Sequence, residues 1–378
     1  MEPVEVSVVM PCLNEEKAIG ICIRTVKEVF AREKIRGEII VADNGSTDSS
    51  CRIVESEGVR LVREPQRGYG AAYLCGLNQA RGAYIVIADS DNTYDFNDIP
   101  VFLKLLCNGY DFVIGSRFKG VIHKGAMPWA HRYIGNPLLS AMTRLFFRTR
   151  LSDIHCGMRA FTRDAFLKMR LYTAGMEFAT EMVVSAIVNN LKIGEVPIHY
   201  FPRQGVSKLK ALTDAWRHIR FMLLYCPSWL YFIPGLTAFV VGLLALLLLM
   251  GGPVLFLGHY WDIHMMILAS MATILAYQLL HIGVYAHTFA IEQGFIQIDR
   301  LNIFLQRHFS LERGLLIGLA CSFLGFTLLF SIFLEWFRNN FGPLYRIRET
   351  VLSMTMMIIG LQTIFSSFFI SLLSLRKK

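Results

Sequence analysis

The sequence is short of charge, and it lacks most of the motifs that announce a nucleotide-binding or metal-binding protein. Only 18% of its 378 residues are Asp, Glu, Lys or Arg, whereas 54% are hydrophobic, and the mean hydropathy is +0.43. That balance excludes disorder and is too apolar for an ordinary soluble protein, so at least part of the chain belongs in a membrane. The eight cysteines, at 12, 22, 51, 75, 107, 156, 226 and 321, include no C-x-x-C pair and no histidine at zinc spacing. Reduced thiols are expected rather than a disulfide framework or a zinc module. No G-x-x-x-x-G-K-[ST] occurs, and Gly68-Tyr-Gly-Ala-Ala-Tyr-Leu-Cys-Gly76 lacks the dinucleotide glycine spacing, which argues against P-loop, kinase-like and NAD-binding readings. The first ten residues have neither the basic start nor the apolar core of a signal peptide, so the N-terminus is expected to stay in the cytosol.

The charge that is present is unbalanced. Lys and Arg number 38 against 29 Asp and Glu, a net +9, which favours anionic partners such as phosphates, nucleotides or lipid headgroups. The character of the chain changes after Trp229. Residues 229–261 contain no Asp, Glu, Lys or Arg, Asp262 is the only such residue before Glu292, and further uncharged runs cover 314–334 and 350–375. At roughly 20 apolar residues per bilayer crossing, four helices are expected near 229–250, 264–288, 315–333 and 351–373. The loop 251–263 has no Lys or Arg, whereas 290–313 carries Arg300, Arg307 and Arg313, and the tail ends Arg376-Lys377-Lys378. Both termini are therefore expected on the cytoplasmic side, although Arg338, Arg346 and Arg348 in the third loop run against that rule. Between the halves, Leu209, Leu212, Trp216, Ile219, Met222 and Leu223 recur at helical spacing, predicting an amphipathic helix in the headgroup plane. The expected division is thus a cytosolic domain over 1–207, an interfacial segment over 208–228 and a transmembrane domain over 229–378.

The first half alternates short β-rich runs (6–10, 38–42, 60–62, 84–88, 112–115) with amphipathic segments (17–32, 48–57, 71–80, 99–107). Such alternation predicts an α/β fold with a mainly parallel, doubly wound sheet, in which ligands sit at the carboxyl ends of the strands. The polar residues fall there: Pro11-Cys-Leu-Asn14-Glu15, Asp43-Asn-Gly-Ser-Thr-Asp48, Asp89-Ser-Asp91 and Ser116-Arg117. Asp89 and Asp91 point to the same side of an extended segment, a pattern suited to Mg²⁺ or Mn²⁺ held by few protein ligands and by diphosphate oxygens. Glu177 and Glu181, one helical turn apart, are further candidates to face the cleft. His155 has no metal-ligand spacing and reads as structural, and His281 and His287 are candidates for a polar seam within the second span.

Taken in order, Pro11-x-x-Asn14-Glu15, Asp43-x-Gly-Ser-x-Asp48, Arg67-Gly-Tyr-Gly70, Asp89-x-Asp91, Gly115-Ser-Arg117, Cys156-Gly-x-Arg159 and Arg203-x-Gly-x-Ser207-Lys208 resemble family 2 GT-A glycosyltransferases, specifically the polyprenyl-phosphate branch that includes dolichol-phosphate mannose synthases and bacterial polyprenyl-phosphate glucosyltransferases. The resemblance covers roughly residues 4–210. It implies a GT-A catalytic domain and a nucleotide-sugar site formed by Pro11, Asn14, Glu15, Asp43, Gly70 and Asp89. It also implies Asp89 and Asp91 as metal ligands, and Arg117, Arg132, Arg203, Ser207 and Lys208 around the phosphate of a lipid acceptor. Asp91 and Arg117 would be the catalytic pair. Thr93 stands where relatives often carry Gln, and Asn44 follows Asp43 where a second acid is more usual.

A phosphomonoester, with a second pKa of about 6, is largely dianionic at pH 7, so transfer to polyprenyl phosphate needs no general base. What remains is alignment of two anionic reactants and neutralisation of the departing nucleoside diphosphate. The expected reaction is inverting transfer of glucose or mannose from a UDP- or GDP-hexose to a dolichyl- or undecaprenyl-type phosphate, at a prokaryotic plasma membrane. The rival is a GT-A transferase acting on a hydroxyl of a glycolipid, diacylglycerol or growing polysaccharide. A processive synthase is disfavoured because Q-x-x-R-W is lacking. Nucleic acid is not expected as a partner, and the oligomeric state is left open.

Overall fold

The structure, a computed structural model, describes residues 4–205, 211–292 and 310–374. Ser207, Lys208, the start of the interfacial segment, Arg300, Arg307 and the basic tail lie outside those residues. The chain forms two compact units, Met1–Met222 and Leu223–Lys378.

The first unit is a seven-stranded sheet. Its elements are β1 (Val6–Cys12), α1 (Ile19–Arg32), β2 (Gly37–Asp43), α2 (Ser50–Ser56), β3 (Arg60–Arg63), α3 (Tyr69–Gln79), β4 (Tyr84–Ile87), α4 (Ile99–Cys107), β5 (Phe112–Ile122), α5 (Asn136–Phe147), β6 (Arg159–Thr162), α6 (Arg163–Met169), α7 (Phe178–Val188), β7 (Ile193–Tyr200) and α8 (Ala211–Tyr225). Spatial order is β3-β2-β1-β4-β6-β5-β7. All pairings are parallel except those of β6, which runs antiparallel to both β4 and β5. Strands covered on both faces read as unbroken apolar runs, and Val8, Val9, Met10, Ile40, Val41, Ile85, Val86, Val113 and Ile114 are all fully buried. Because the connections leave β1 in opposite directions, toward β2 and toward β4, a crevice opens at their carboxyl ends.

β5 is longer than its apolar run suggests, since it continues beside β7 through Ile122 after an irregularity between Ser116 and Val121. β6, only four residues long, carries a buried arginine. The Arg159 guanidinium donates to the carbonyls of Cys156 (2.9 Å), Ala179 (2.7 Å) and Ile154 (2.9 Å), fastening the 154–157 loop to α7. Helix α8 is amphipathic, but one side of it belongs to the first unit: His218, Phe221 and Met222 are buried while Trp216 is exposed.

Among the described residues the second unit contains four helices long and apolar enough to cross a membrane, Trp229–Leu249, Ile263–Ile291, Leu311–Arg338 and Ile347–Leu373. A two-stranded hairpin, β8 (Val254–Phe256) and β9 (His259–Trp261), joins the first two. The third and fourth meet through small residues, since a Cβ on Gly318 would lie 2.8 Å from the Gly360 carbonyl oxygen and one on Gly360 2.6 Å from the Ser322 nitrogen. Polar pairs hold the second against the fourth, Ser270 with Thr355 and Tyr277 with Thr363, each at 2.6 Å. Such packing suits lipid, where apolar contact alone gives helices little reason to associate. Arg346 pairs with Glu335 (3.1 Å) and Glu349 (2.9 Å), and Arg348 with Asp262, so two of the third-loop arginines that oppose the charge rule are locally neutralised.

Arg159→Met should destabilise the first unit by roughly 3 kcal/mol, because it leaves three buried carbonyls without donors. Thermal unfolding of the detergent-solubilised protein checks this, and an unchanged midpoint would show that the guanidinium does not fasten the loop.

Candidate active site

The acidic pair follows β4. Tyr69 and Tyr73 stand one turn apart at the start of α3, edge to face at 4.9 Å, and both hydroxyls donate to Asp89 Oδ1, at 3.0 and 3.1 Å. Phe178 stacks on Tyr73 at 5.6 Å and locks that wall. Burial, and then the neighbouring Asp91 charge, push Asp89 up to about 6, against the pull of the two tyrosine hydroxyls. Asp91 Oδ1 accepts from the Thr93 amide (3.1 Å) and hydroxyl (2.6 Å). Its Oδ2 lies 3.3 Å from Arg203 Nη1, and the same guanidinium grips Glu15.

The ends of β1 and β2 interlock. Asn14, at φ +53°, accepts from the Thr47 amide (2.7 Å) while its own amide donates to Ser46 (2.9 Å). Asp43 accepts from the Gly45 and Ser46 amides at 3.1 and 3.0 Å. Asn44 donates to the carbonyls of Glu64 and Gln66 and accepts from the Gly68 amide, tying the 64–68 segment to the rim. Pro11 offers its carbonyl to Ser90. Gly70 is required by space, since a Cβ there would lie 2.1 Å from the Thr173 carbonyl oxygen.

At the end of the apolar part of β5, the buried Arg117 meets the buried Asp153 through two parallel hydrogen bonds, Nε to Oδ2 at 2.6 Å and Nη2 to Oδ1 at 2.8 Å. The guanidinium also lies 5.2 Å from the centroid of the Tyr200 ring. Nη1 carries no hydrogen bond among the described residues.

Residues 7–170 match the family model for glycosyl transferase family 2, and residues 284–374 match that for the glycosyltransferase family 2 C-terminal transmembrane region. The low-salt glycan biosynthesis hexosyltransferase Agl6 of Haloferax volcanii is 38% identical over 363 residues, covering 96% of this chain and 87% of that protein. The chain belongs to glycosyltransferase family 2. A dolichyl-phosphate hexose transferase of the same organism is 31% identical over 207 residues, 54% of this chain and 86% of its own. A crystal structure of glucosyl-3-phosphoglycerate synthase from Mycobacterium tuberculosis, in complex with Mn²⁺, UDP and glucosyl-3-phosphoglycerate, is 22% identical. It covers 59% of this chain and 80% of its own, with a TM-score of 0.47.

In this membrane glycosyltransferase, then, Pro11, Asn14, Asp43 and Gly70 are parts of the interlocked loops, and Glu15, Asp91 and Arg203 form one ion-paired group. Arg203 therefore stands on the acidic residues of the rim rather than apart from them, and Arg117 is committed on two of its nitrogens to Asp153. Arg132 is half-buried, beside the Tyr133 ring at 5.5 Å. Glu177 and Glu181 differ: Glu181 accepts from the amides of Tyr172 and Thr173, both at 3.0 Å, whereas Glu177 Oε2 is buried with no hydrogen bond among the described residues. His155 is half-buried and packs edge to face on His218 at 4.5 Å; desolvation of the ring pushes it well below the ordinary imidazole range. Sequence reasoning missed Tyr69, Tyr73 and Asp153. For Asp153 a signal existed, because it is the only acid between Asp111 and Asp164.

A divalent metal fits the acidic pair. Asp89 Oδ2 makes no hydrogen bond among the described residues, and a Cβ on Gly157 would lie 2.6 Å from it, so the glycine keeps that oxygen clear. Two hard carboxylates suit Mg²⁺ or Mn²⁺. Among the described residues no cluster of three or more metal-ligating side chains occurs, so substrate oxygens and water would have to supply the remaining positions.

Asp153→Asn should cost about 3 kcal/mol or more by leaving the Arg117 charge buried and unpaired. The double variant Arg117→Met with Asp153→Leu should regain most of that stability. Thermal melts of the three proteins decide it, and equal melting temperatures would mean that the pair is not coupled.

Proposed function

We propose that the enzyme transfers a hexose, glucose or mannose, from a UDP- or GDP-hexose to a polyprenyl phosphate with inversion, on the cytoplasmic side of a prokaryotic plasma membrane. The observation that carries this reading is the rim of the sheet, where the Asp89–Asp91 pair and the buried Arg117 end neighbouring parts of one crevice in a chain with four candidate membrane spans. The name of the dolichyl-phosphate hexose transferase relative agrees with it.

On this reading Glu15 and Asp43 lie at the nucleoside, and Asp89 and Asp91 would hold the metal. When bound, that metal supplies positive charge to the diphosphate leaving group. Arg203 shares Asp91 and Glu15 and so ties the nucleoside end of the site to the diphosphate end. Arg117, oriented by Asp153, keeps Nη1 for a phosphate oxygen of the acceptor, and Arg132, Ser207 and Lys208 complete the acceptor side. The acceptor phosphate is its own nucleophile, so alignment and charge neutralisation are the work left to the protein. One observation favours the rival hydroxyl acceptor: the half-buried Glu177 keeps a buried Oε2 with no hydrogen bond among the described residues, as a general base requires.

Purified protein with Mn²⁺ or Mg²⁺, a short polyprenyl phosphate and a panel of UDP- and GDP-sugars should yield a hexosyl-phosphoryl lipid by mass spectrometry. Asp91→Asn should abolish it while leaving the melting temperature within a few degrees. Turnover only with hydroxyl lipids, lost in Glu177→Gln, would replace the reading with the rival.

The raised Asp89 carboxyl gives a second check. Below about 6 its proton must leave before a cation binds, so Mn²⁺ affinity should fall up to tenfold per pH unit under that value and level off above it. Titration by electron paramagnetic resonance tests this. A flat profile, or the same profile in Asp89→Asn, would remove Asp89 from the metal site.

A further inference from the structure

The four oxygens of the acidic pair are not equivalent. An ionised carboxylate offers about two lone pairs on each oxygen, and in each aspartate one oxygen has both of them taken. Asp89 Oδ1 accepts from the Tyr69 and Tyr73 hydroxyls at 3.0 and 3.1 Å, and Asp91 Oδ1 accepts from the Thr93 amide and hydroxyl at 3.1 and 2.6 Å. The second oxygens are placed differently. Asp89 Oδ2 faces Gly157, where a Cβ would come within 2.6 Å of it, and Asp91 Oδ2 already meets a cation, Arg203 Nη1 at 3.3 Å.

The caps on the first oxygens are fixed by packing. Tyr73 is fully buried with its ring stacked on Phe178 at 5.6 Å. Tyr69 stands edge to face on Tyr73 at 4.9 Å and on Phe178 at 6.5 Å, so neither hydroxyl can turn away unless that wall repacks. Thr93 is buried as well, and its hydroxyl is spent on Asp91 rather than aimed past it. Each aspartate can therefore give a metal one oxygen and not two.

That restriction distinguishes one divalent cation from another. Mg²⁺ takes one oxygen per carboxylate in a near-octahedral shell at about 2.0–2.1 Å and keeps several waters, whereas Ca²⁺ takes about 6–8 oxygens at about 2.3–2.6 Å and is often chelated by both oxygens of a carboxylate. Mn²⁺ is likewise suited to an octahedral oxygen shell. To chelate Ca²⁺, Asp89 would have to give up two hydrogen bonds to a charged acceptor, each equivalent to about tenfold in affinity.

We propose that Tyr69, Tyr73 and Thr93 determine the metal specificity of the site, capping one oxygen of each aspartate and so selecting Mg²⁺ or Mn²⁺ against Ca²⁺. The proposal rests on the reading above in which Asp89 and Asp91 hold the metal. The three residues act through the aspartates and are positioning residues.

The test follows Mn²⁺ bound to the detergent-solubilised full-length protein by electron paramagnetic resonance, with Mg²⁺ and Ca²⁺ as competitors, at a pH well above the Asp89 value of about 6. Mg²⁺ should displace Mn²⁺ from the wild type at a concentration about tenfold below that of Ca²⁺. Tyr69→Phe with Tyr73→Phe, which keeps both rings, should shift that ratio several-fold toward Ca²⁺, and Thr93→Val should shift it less because the amide still donates. A loosened fold weakens all three cations together and leaves the ratio alone, so the ratio separates selection from a merely structural role. If the double variant fails to fold, Thr93→Val carries the test. Equal displacement by Mg²⁺ and Ca²⁺ in the wild type overturns the proposal, as does a ratio that the folded variants leave unmoved. A wild type that binds no Mn²⁺ at all would bring down the metal reading itself, and the proposal with it.

Discussion

Two carboxylates one residue apart, set at the end of a buried strand, are the constraint around which the rim is arranged. Like charges this close disfavour simultaneous ionisation, and burial sharpens the conflict. The fold answers with neutral donors and one borrowed cation. Tyr69 and Tyr73 bond one oxygen of Asp89, Thr93 bonds one oxygen of Asp91, and Arg203 leans on the other. None of these partners removes the negative charge from Asp89, whose carboxyl stays raised. A site left in that condition is suited to a cation, and the loops around it are held by the Asn14, Asp43 and Asn44 side chains through hydrogen bonds to neighbouring backbone groups.

The buried arginines of the same unit show the opposite solution. Arg159 places its guanidinium entirely on backbone carbonyls, whereas Arg117 meets one carboxylate through two of its three nitrogens and lies over one aromatic face. A guanidinium spread over three carbonyls is a structural fastener whose charge faces nothing that a ligand could use. One bound bidentately to Asp153 is fixed in orientation and still has an unbonded edge. The difference in partners, not in burial, separates a positioning arginine from one available to an anion.

Much of this was legible in the sequence, for physical reasons. Strands β1, β2 and β4 are buried on both faces and so read as apolar runs, and their carboxyl ends announce themselves by Asn14, Asp43, Asp89 and Asp91. The four apolar helices follow from uncharged length alone. What escaped was decided by contacts distant in sequence. β6 has a buried arginine in four residues, so neither apolarity nor alternation marks it. Arg203 reaches Glu15 across 188 positions, and Asp153 reaches Arg117 across 36; no local pattern encodes either partner. Tyr69 and Tyr73 look like ordinary core aromatics until the sheet brings Asp89 beneath their hydroxyls. Helix α8 shows a further limit: its apolar spacing gives a face, but only the fold reveals that Met222 and His218 turn that face inward.

The segment from Arg117 to Arg150 joins these themes. It begins at a buried arginine on the rim, continues beside β7 and leads into a helix with exposed apolar side chains, with no acid along the way. Absence of acid has a physical consequence for a reaction between two anions. On the proposed reaction, each Asp or Glu placed there would repel the acceptor phosphate, so the compositional bias suits that chemistry. A hydroxyl acceptor carries no such charge and would put no comparable pressure on thirty-odd residues outside the crevice. The bias therefore favours a phosphate-bearing lipid over a neutral one.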